Sequence, residues 1–391
     1  TRPHFARPGR LVASASSSII TMTALLAPAL LFFSNALMHI TLFTRLPEIS
    51  GAAGLDKAGL GLALLGLPIG TVLALPIAGR LNDRLGPHVA APAMLLVNAL
   101  MMPFFALVPG LAAGLLFASY SFVRTVLEVA QNMVALGIER RTGVSVLSRS
   151  HGFWSVGLFV GSLAAGILAG SGATPLWHQI IASAVVALLM VVFWAVAPRD
   201  YPTLPTAGLK RPAFAIPGRA ILLIFAMTVG IGLTEGTVYD WSIFYMQDVI
   251  GSAPSTAGYV FAAFTIGMGV TRMMGDGLRM RFSNTTLVRG NVLMCACGIA
   301  VLLMSSGPIQ AGLALAMLGA GVALNAPISV SVVSHLPGRS TAENMAALSM
   351  VALIATFGVP ALFGFVAEAV GLRIVFAALL PILAVGFLLA P

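Results

Sequence analysis

Charge is what this sequence has least of: Lys, Arg, Asp and Glu together make up 8% of its 391 residues, where a soluble domain carries about 25%. So few ionisable groups cannot coat a globule of this size, and water is not its main solvent. Cysteine is nearly missing too. Cys295 and Cys297 share one apolar run, which leaves neither a disulfide framework nor a four-ligand zinc site. They read as packing residues, and neither metal nor cofactor is expected. No stretch has the form G-x-x-x-x-G-K-[ST], which argues against ATP-driven work.

Hydrophobic residues fill the space that charge leaves, at 59% of the chain with a mean hydropathy of +1.00. Windows of about 19 residues predict twelve spans, near 19–44, 58–80, 88–108, 110–137, 148–170, 175–197, 219–246, 254–278, 286–305, 309–333, 341–368 and 372–390. The first follows a basic start, Thr1 to Arg10. At about 25 residues it is too long for the h-region of a signal peptide and is expected to be the first transmembrane helix.

A net charge of +9 does not point to nucleic acid, because Lys and Arg punctuate the apolar runs instead of clustering on one face. They orient the chain instead. With the N-terminus in the cytoplasm, only Arg45, Lys57 and Arg373 fall outside and Arg124 falls within a span; every other basic residue, Arg272 included, lands on the inside. That asymmetry obeys the positive-inside rule and predicts both termini in the cytoplasm.

The longest polar break, Arg199 to Gly218, holds four prolines and falls almost at the midpoint. It divides the chain into residues 1–198, a first six-helix bundle, a cytoplasmic linker at 199–218, and a second bundle at 219–391. Shifting the sequence onto itself brings Asp83 onto Asp276 and Asn132 onto Asn325, at matching places in the two halves.

Between the second and third spans the chain reads Gly79-Arg80-Leu81-Asn82-Asp83-Arg84-Leu85-Gly86-Pro87-His88. This closely resembles the loop signature of the major facilitator superfamily, G-x-L-A-D-R-x-G-R-R. Asn82 replaces the usual small residue, and Pro87 and His88 stand where two basic residues are typical. A degenerate copy, Gly275-Asp276-Gly277-Leu278-Arg279-Met280-Arg281, follows in the second half. Further segments resemble bacterial sugar-permease-like facilitators related to fucose permeases: Arg45-Leu46-Pro47-Glu48-Ile49, Leu127-Glu128-Val129-Ala130-Gln131-Asn132, His151-Gly152-Phe153-Trp154-Ser155, and Glu235-Gly236 with Asp240-Trp241-Ser242. The resemblance implies an all-α membrane fold of two pseudo-symmetric six-helix bundles. It implies a monomeric secondary transporter of the cell inner membrane that moves a sugar or organic anion by alternating access, driven by protons, and that is not an enzyme. A proton-driven efflux antiporter is the alternative, consistent with 18 Met and 22 Phe. A membrane receptor without transport would leave the acids inside the spans unexplained.

Each ionisable group kept in hydrocarbon costs about 2.5–3.5 kcal/mol and so should line a cavity or find a partner. Arg124 and Glu128 lie one turn apart on one helix face. Glu128 is a candidate proton-coupling carboxylate, or else half of a fixed ion pair. Arg124 either clamps an anionic substrate or holds Glu128 ionised. Glu235, Tyr239, Asp240 and Trp241 are candidate substrate contacts, and Arg45 or His39 could meet Glu235 or Asp240 across the cavity, Arg45 as an outer gate. Asn132 and Asn325 suit either substrate or interhelical bonds. His151 reads as a helix-start residue more readily than a proton relay. For gating, Gly79, Asp83, Arg84 and Gly86 form the loop signature. Ser340-Thr341-Ala342-Glu343 has a capping-box pattern whose helix terminus would attract Asp83, with Arg84 bridging to Glu139 or a nearby carbonyl and Asp276 acting likewise against span five. Gly66 and Gly70, and Gly157 and Gly161, are spaced four apart and are expected to permit close backbone approach on one face, giving rigid halves that can rock against each other.

Overall fold

The computed structural model describes residues 15–142, 146–197, 216–337 and 340–390. Most of the expected linker, and the basic residues at the N-terminus, lie outside the described residues. All regular structure among the described residues is helical, one of the two ways, with the closed barrel, to satisfy backbone N–H and C=O groups where no water is at hand.

A helix stands at each expected position. In chain order they are α1 Ala15–Thr44, α2 Lys57–Leu85, α3 Pro87–Ala106, α4 Ala112–Thr142, α5 Leu147–Gly170 and α6 Pro175–Val196. Then follow α7 Arg219–Val249, α8 Pro254–Arg281, α9 Asn284–Met304 and α10 Pro308–Ser334. Last come α11, running Thr341–Phe357 and on through Val359–Val370, and α12 Leu372–Leu389. A short helix, Leu46–Ala52, caps the end of α1. Eleven of these spans are long and apolar enough to cross a membrane. The remaining one, α8, has 28 residues and so reaches about 42 Å, but Arg272, Asp276, Arg279 and Arg281, with Ser255, Thr256, Thr265 and several glycines, lower its hydropathy. Its packing explains the composition, since it is held between α5 and α10 and needs small residues more than lipid-soluble ones.

Local chemistry fixes where helices start and turn. Asp56 accepts the Gly59 N–H at 2.6 Å to open α2, Ser283 accepts that of Thr286 at 3.1 Å to open α9, and Gly86 takes φ 78° in the tight turn from α2 to α3. Proline marks the irregularities. Pro103 has no N–H to offer the Ala99 carbonyl one turn back, and the Ser183 hydroxyl of α6 donates to it instead, at 2.7 Å. Pro327 leaves the Ala323 carbonyl in the same position, and α10 breaks there between Val322 and Asn325.

Within the first six helices α2 packs on α4, and α1 on α5 and α6; within the last six α8 packs on α10, and α7 on α12. The paired glycines serve these contacts. A Cβ on Gly66 or Gly70 would strike the backbone of α4, and one on Gly157 or Gly161 would strike α1. The close approach that their spacing predicts is made inside each half, which it stiffens. The two sets of six meet chiefly where α5 lies on α8 and where the first turns of α2 lie on α11. Glycines that spacing did not flag make those crossings close. A Cβ on Gly61 would sit 2.6 Å from the Pro360 carbonyl oxygen, and one on Gly258 would sit 2.8 Å from the Gly166 nitrogen.

Candidate functional site

The ionisable residues inside the spans converge between the two sets of six helices. On α4, Arg124 Nη2 lies 2.7 Å from Glu128 Oε1, and the guanidinium sits over the Trp154 ring of α5 at 5.5 Å. From α1, His39 packs against Tyr239 of α7 with ring centroids 5.3 Å apart, and against Trp154 at 6.2 Å. Tyr239 also touches Phe261 and Phe264 of α8. Arg124 is within electrostatic reach of His39 and Tyr239, so the aromatic rings bridge the halves beside a charge. Next to Glu128, Asn35 Nδ2 donates to Gln131 Oε1 at 3.2 Å, a buried bond that ties α1 to α4.

A second pair lies on the other half. Glu235 of α7 is one turn from Tyr239, and its Oε1 is 3.9 Å from Arg272 Nη2 of α8. Arg272 also donates from Nε to the Ala323 carbonyl at 3.4 Å, the acceptor that Pro327 leaves open. Charge counting placed Arg272 at the inside end of its span; it instead sits beside Glu235, because α8 continues to Arg281 and carries it well within the helix. Asn325, at the restart of α10, points its amide toward Gly232 of α7, and its Oδ1 is buried without a partner among the described residues. The side chains of both pairs keep 24–39% of their exposure, so they line a space rather than a packed core.

Several sequence expectations change. Arg45 does not reach Glu235 or Asp240: its Nε lies 3.0 Å from Glu48 Oε1 and its Nη2 donates to the Ala173 carbonyl at 2.8 Å. A partner one turn away is nearer than any across the bundle. Burial raises the Glu48 carboxyl above its ordinary range, and Arg45 draws it back. Trp241 is fully buried and packs on Phe244; at about 100° per residue it lies opposite Tyr239 and faces the core. Asp240 is half-buried between them, and Asn132 is half-buried one turn beyond Glu128. Glu139 accepts the Val146 and Leu147 N–H groups that open α5.

Asp83 and Arg84 are exposed at the end of α2, and Asp276 is exposed one turn beyond Arg272. A Cβ on Gly79 would meet open space. Ser340 and Glu343 cap α11 reciprocally, with Ser340 N–H to Glu343 Oε2 at 2.9 Å and Glu343 N–H to Ser340 Oγ at 3.2 Å. At the opposite end of the bundle, Lys57 ties the halves twice. Its Nζ is 2.9 Å from Asp248 Oδ2 of α7, and its N–H donates to Glu368 Oε2 of α11 at 3.1 Å. A cavity of about 440 Å³ lies there, lined by Glu48, Asp56, Lys57, Gln247 and Asp248 among others; it is away from the charged centre.

An all-helical membrane bundle with paired charges facing a space between its halves is the frame of a transporter, not of an enzyme. The Major Facilitator Superfamily matches residues 28–352, and the chain belongs to that family. It is 27% identical over 368 residues to an uncharacterized transporter of Sinorhizobium fredii, covering 90% of this chain and 95% of that protein. It is 26% identical over 384 residues to the membrane protein MosC of Rhizobium meliloti, covering 95% and 89%. The nucleoside transporter NupG shares its fold, with a TM-score of 0.74 at 15% identity over 94% of this chain and 98% of that one. So does a bacterial homolog of the human lysosomal transporter Spinster in an inward-facing, occupied conformation, with a TM-score of 0.72 at 16% identity over 94% and 95%.

Proposed function

We propose that the protein is a proton-coupled secondary transporter that carries a small polar solute, a sugar or an organic anion, across the cell inner membrane by alternating access. It works as a monomer with both termini in the cytoplasm, in the sugar-permease-like branch that its motifs resemble. The two bundles, 1–198 and 219–391, rock about the site between them, linked by residues 199–218.

The observation that carries this reading is the Arg124–Glu128 pair at 2.7 Å, within electrostatic reach of the His39–Tyr239 ring contact that joins the halves. Both side chains of the pair face a space rather than a packed core, so a motion of the halves that parts Glu128 from Arg124 leaves the carboxylate open to proton exchange from one side at a time. Glu128 is then the coupling acid. Cross-half contacts gather at Lys57, Gly61, Gly166 and Gly258, which supports a state closed outside and open toward the end bearing Asp83 and Asp276. In the outward-open state those two acids would close the inner end against the N-termini of α11 and α5.

In proteoliposomes, Glu128→Gln should abolish uptake driven by a proton gradient and leave exchange of labelled for unlabelled substrate intact. Uptake that keeps its normal pH dependence in this variant would remove Glu128 from the coupling role.

A further inference from the structure

The two guanidiniums at the centre are not equally free to meet a ligand. Arg124 has Nη2 at 2.7 Å from Glu128, an indole against its face and its Nε buried, so less of its fork is open to an incoming anion. Arg272 is held differently. At 3.9 Å, Glu235 lies outside hydrogen-bond range, so the two attract each other without sharing a proton. The single hydrogen bond that Arg272 makes among the described residues is the long one from Nε to the Ala323 carbonyl. That bond engages the guanidinium through Nε and leaves the Nη groups, the fork that matches a planar oxyanion, without a hydrogen bond among the described residues, with Nη2 facing Glu235 and the side chain 29% exposed.

Polar groups of the right kind surround this fork. Asn325 restarts α10 just past that carbonyl, with its side-chain oxygen buried and unpaired. His151, from the other half, lies within electrostatic reach of Arg272. A ligand seated between Glu235 and Arg272 would therefore touch α7, α8 and α10 and present its far end to the first half.

We propose that Arg272 is the anchor for an oxyanion group, carboxylate or phosphate, on the transported solute, with Asn325 bonding the adjoining hydroxyl and Glu235 as the competitor that the anion displaces. This rests on the transporter reading and narrows its substrate to small hydroxylated anions. Arg124 is left to Glu128, which separates the substrate anchor on one half from the coupling acid on the other.

The test uses the full-length purified protein and thermal stabilisation by ligand, which reports binding whether or not transport occurs. The probes are matched pairs that differ only in the acidic group: glycerate and glycerol phosphate against glycerol, gluconate against sorbitol, lactate against propanediol. The anionic members should stabilise the protein and the neutral ones should not, and the better of the carboxylate and phosphate arms identifies the group. Arg272→Gln should weaken anion binding at least about tenfold, Arg272→Lys should fall between, and Glu235→Gln should tighten it about twofold or more. A purely structural Arg272 would not give opposite signs for the two partners. Equal stabilisation by neutral members, no response to any anion, unchanged binding in Arg272→Gln, or weaker binding in Glu235→Gln would each overturn the proposal. Anions that bind through Arg272 yet never cross proteoliposomes would overturn the transporter reading and leave the anchor standing.

Discussion

Arg45 shows how a side chain of one type can serve two very different ends. Its charge at the end of a span looks like a gate, yet its bonds to Glu48 and to the Ala173 carbonyl make it a brace between α1 and the start of α6. Arg45→Ala should therefore lower the melting temperature, by a loss of about 1–3 kcal/mol for the stranded acceptors, while substrate range stays unchanged. Glu48 is already raised by burial, and a raised acid makes the folded state less stable as pH climbs through its pKa. Without Arg45 that rise grows, so the deficit should be larger in alkaline than in mildly acid buffer. A variant with normal stability but altered selectivity would return Arg45 to the gate. Gln131→Leu should be milder, leaving the Asn35 amide without its partner at about 1 kcal/mol, read in the same melting assay.

Among the helices, α2 and α11 decide how tightly the expected outer end shuts. Lys57 and Asp248 are 28% and 44% exposed, so their ion pair is worth about 1 kcal/mol at most. The glycine crossing should matter more. Gly61→Val drives a branched side chain into the Pro360 carbonyl, an overpacking of about 1–3 kcal/mol and thus roughly a 5- to 150-fold shift toward states open at that end. Labelling of a cysteine introduced at Tyr239, in protein lacking Cys295 and Cys297, should speed up accordingly, and more than in Lys57→Ala. If Lys57→Ala opens the site further than Gly61→Val, charge and not close packing holds that end. Asp83→Asn should slow cycling with affinity nearly intact, as expected of a latch on the far side; normal turnover would contradict it.

For the molecule as a transporter, the contact between α5 and α8 offers a direct lock. A Cβ built on Gly170 lies 3.5 Å from Ser255 Cβ, within the range a disulfide spans. Gly170→Cys with Ser255→Cys, again without the native cysteines, should oxidise readily, stop transport and recover on reduction. Transport that continues through the cross-link would mean that the halves need not part at this end.

Much of this was readable from the order of the residues. Twelve apolar runs, a proline-rich break and the Gly79–His88 loop specify a two-part helical bundle, because lipid allows few ways to satisfy a backbone and those runs are long enough to use one of them. The pairing of Arg124 with Glu128 was legible for a similar reason, since one helical turn separates them. Arg272 escaped, because a hydropathy window assigns a charge near a span's end to water, whereas its true neighbours are Glu235 on another helix and a carbonyl freed by Pro327 on a third. Gly61, Gly166 and Gly258 escaped as well, for no spacing rule joins residues that meet only when two bundles close. Periodicity and composition act along a chain and so fix what each helix is; which charges and glycines face each other depends on how the helices pack, and only the folded bundle could settle that.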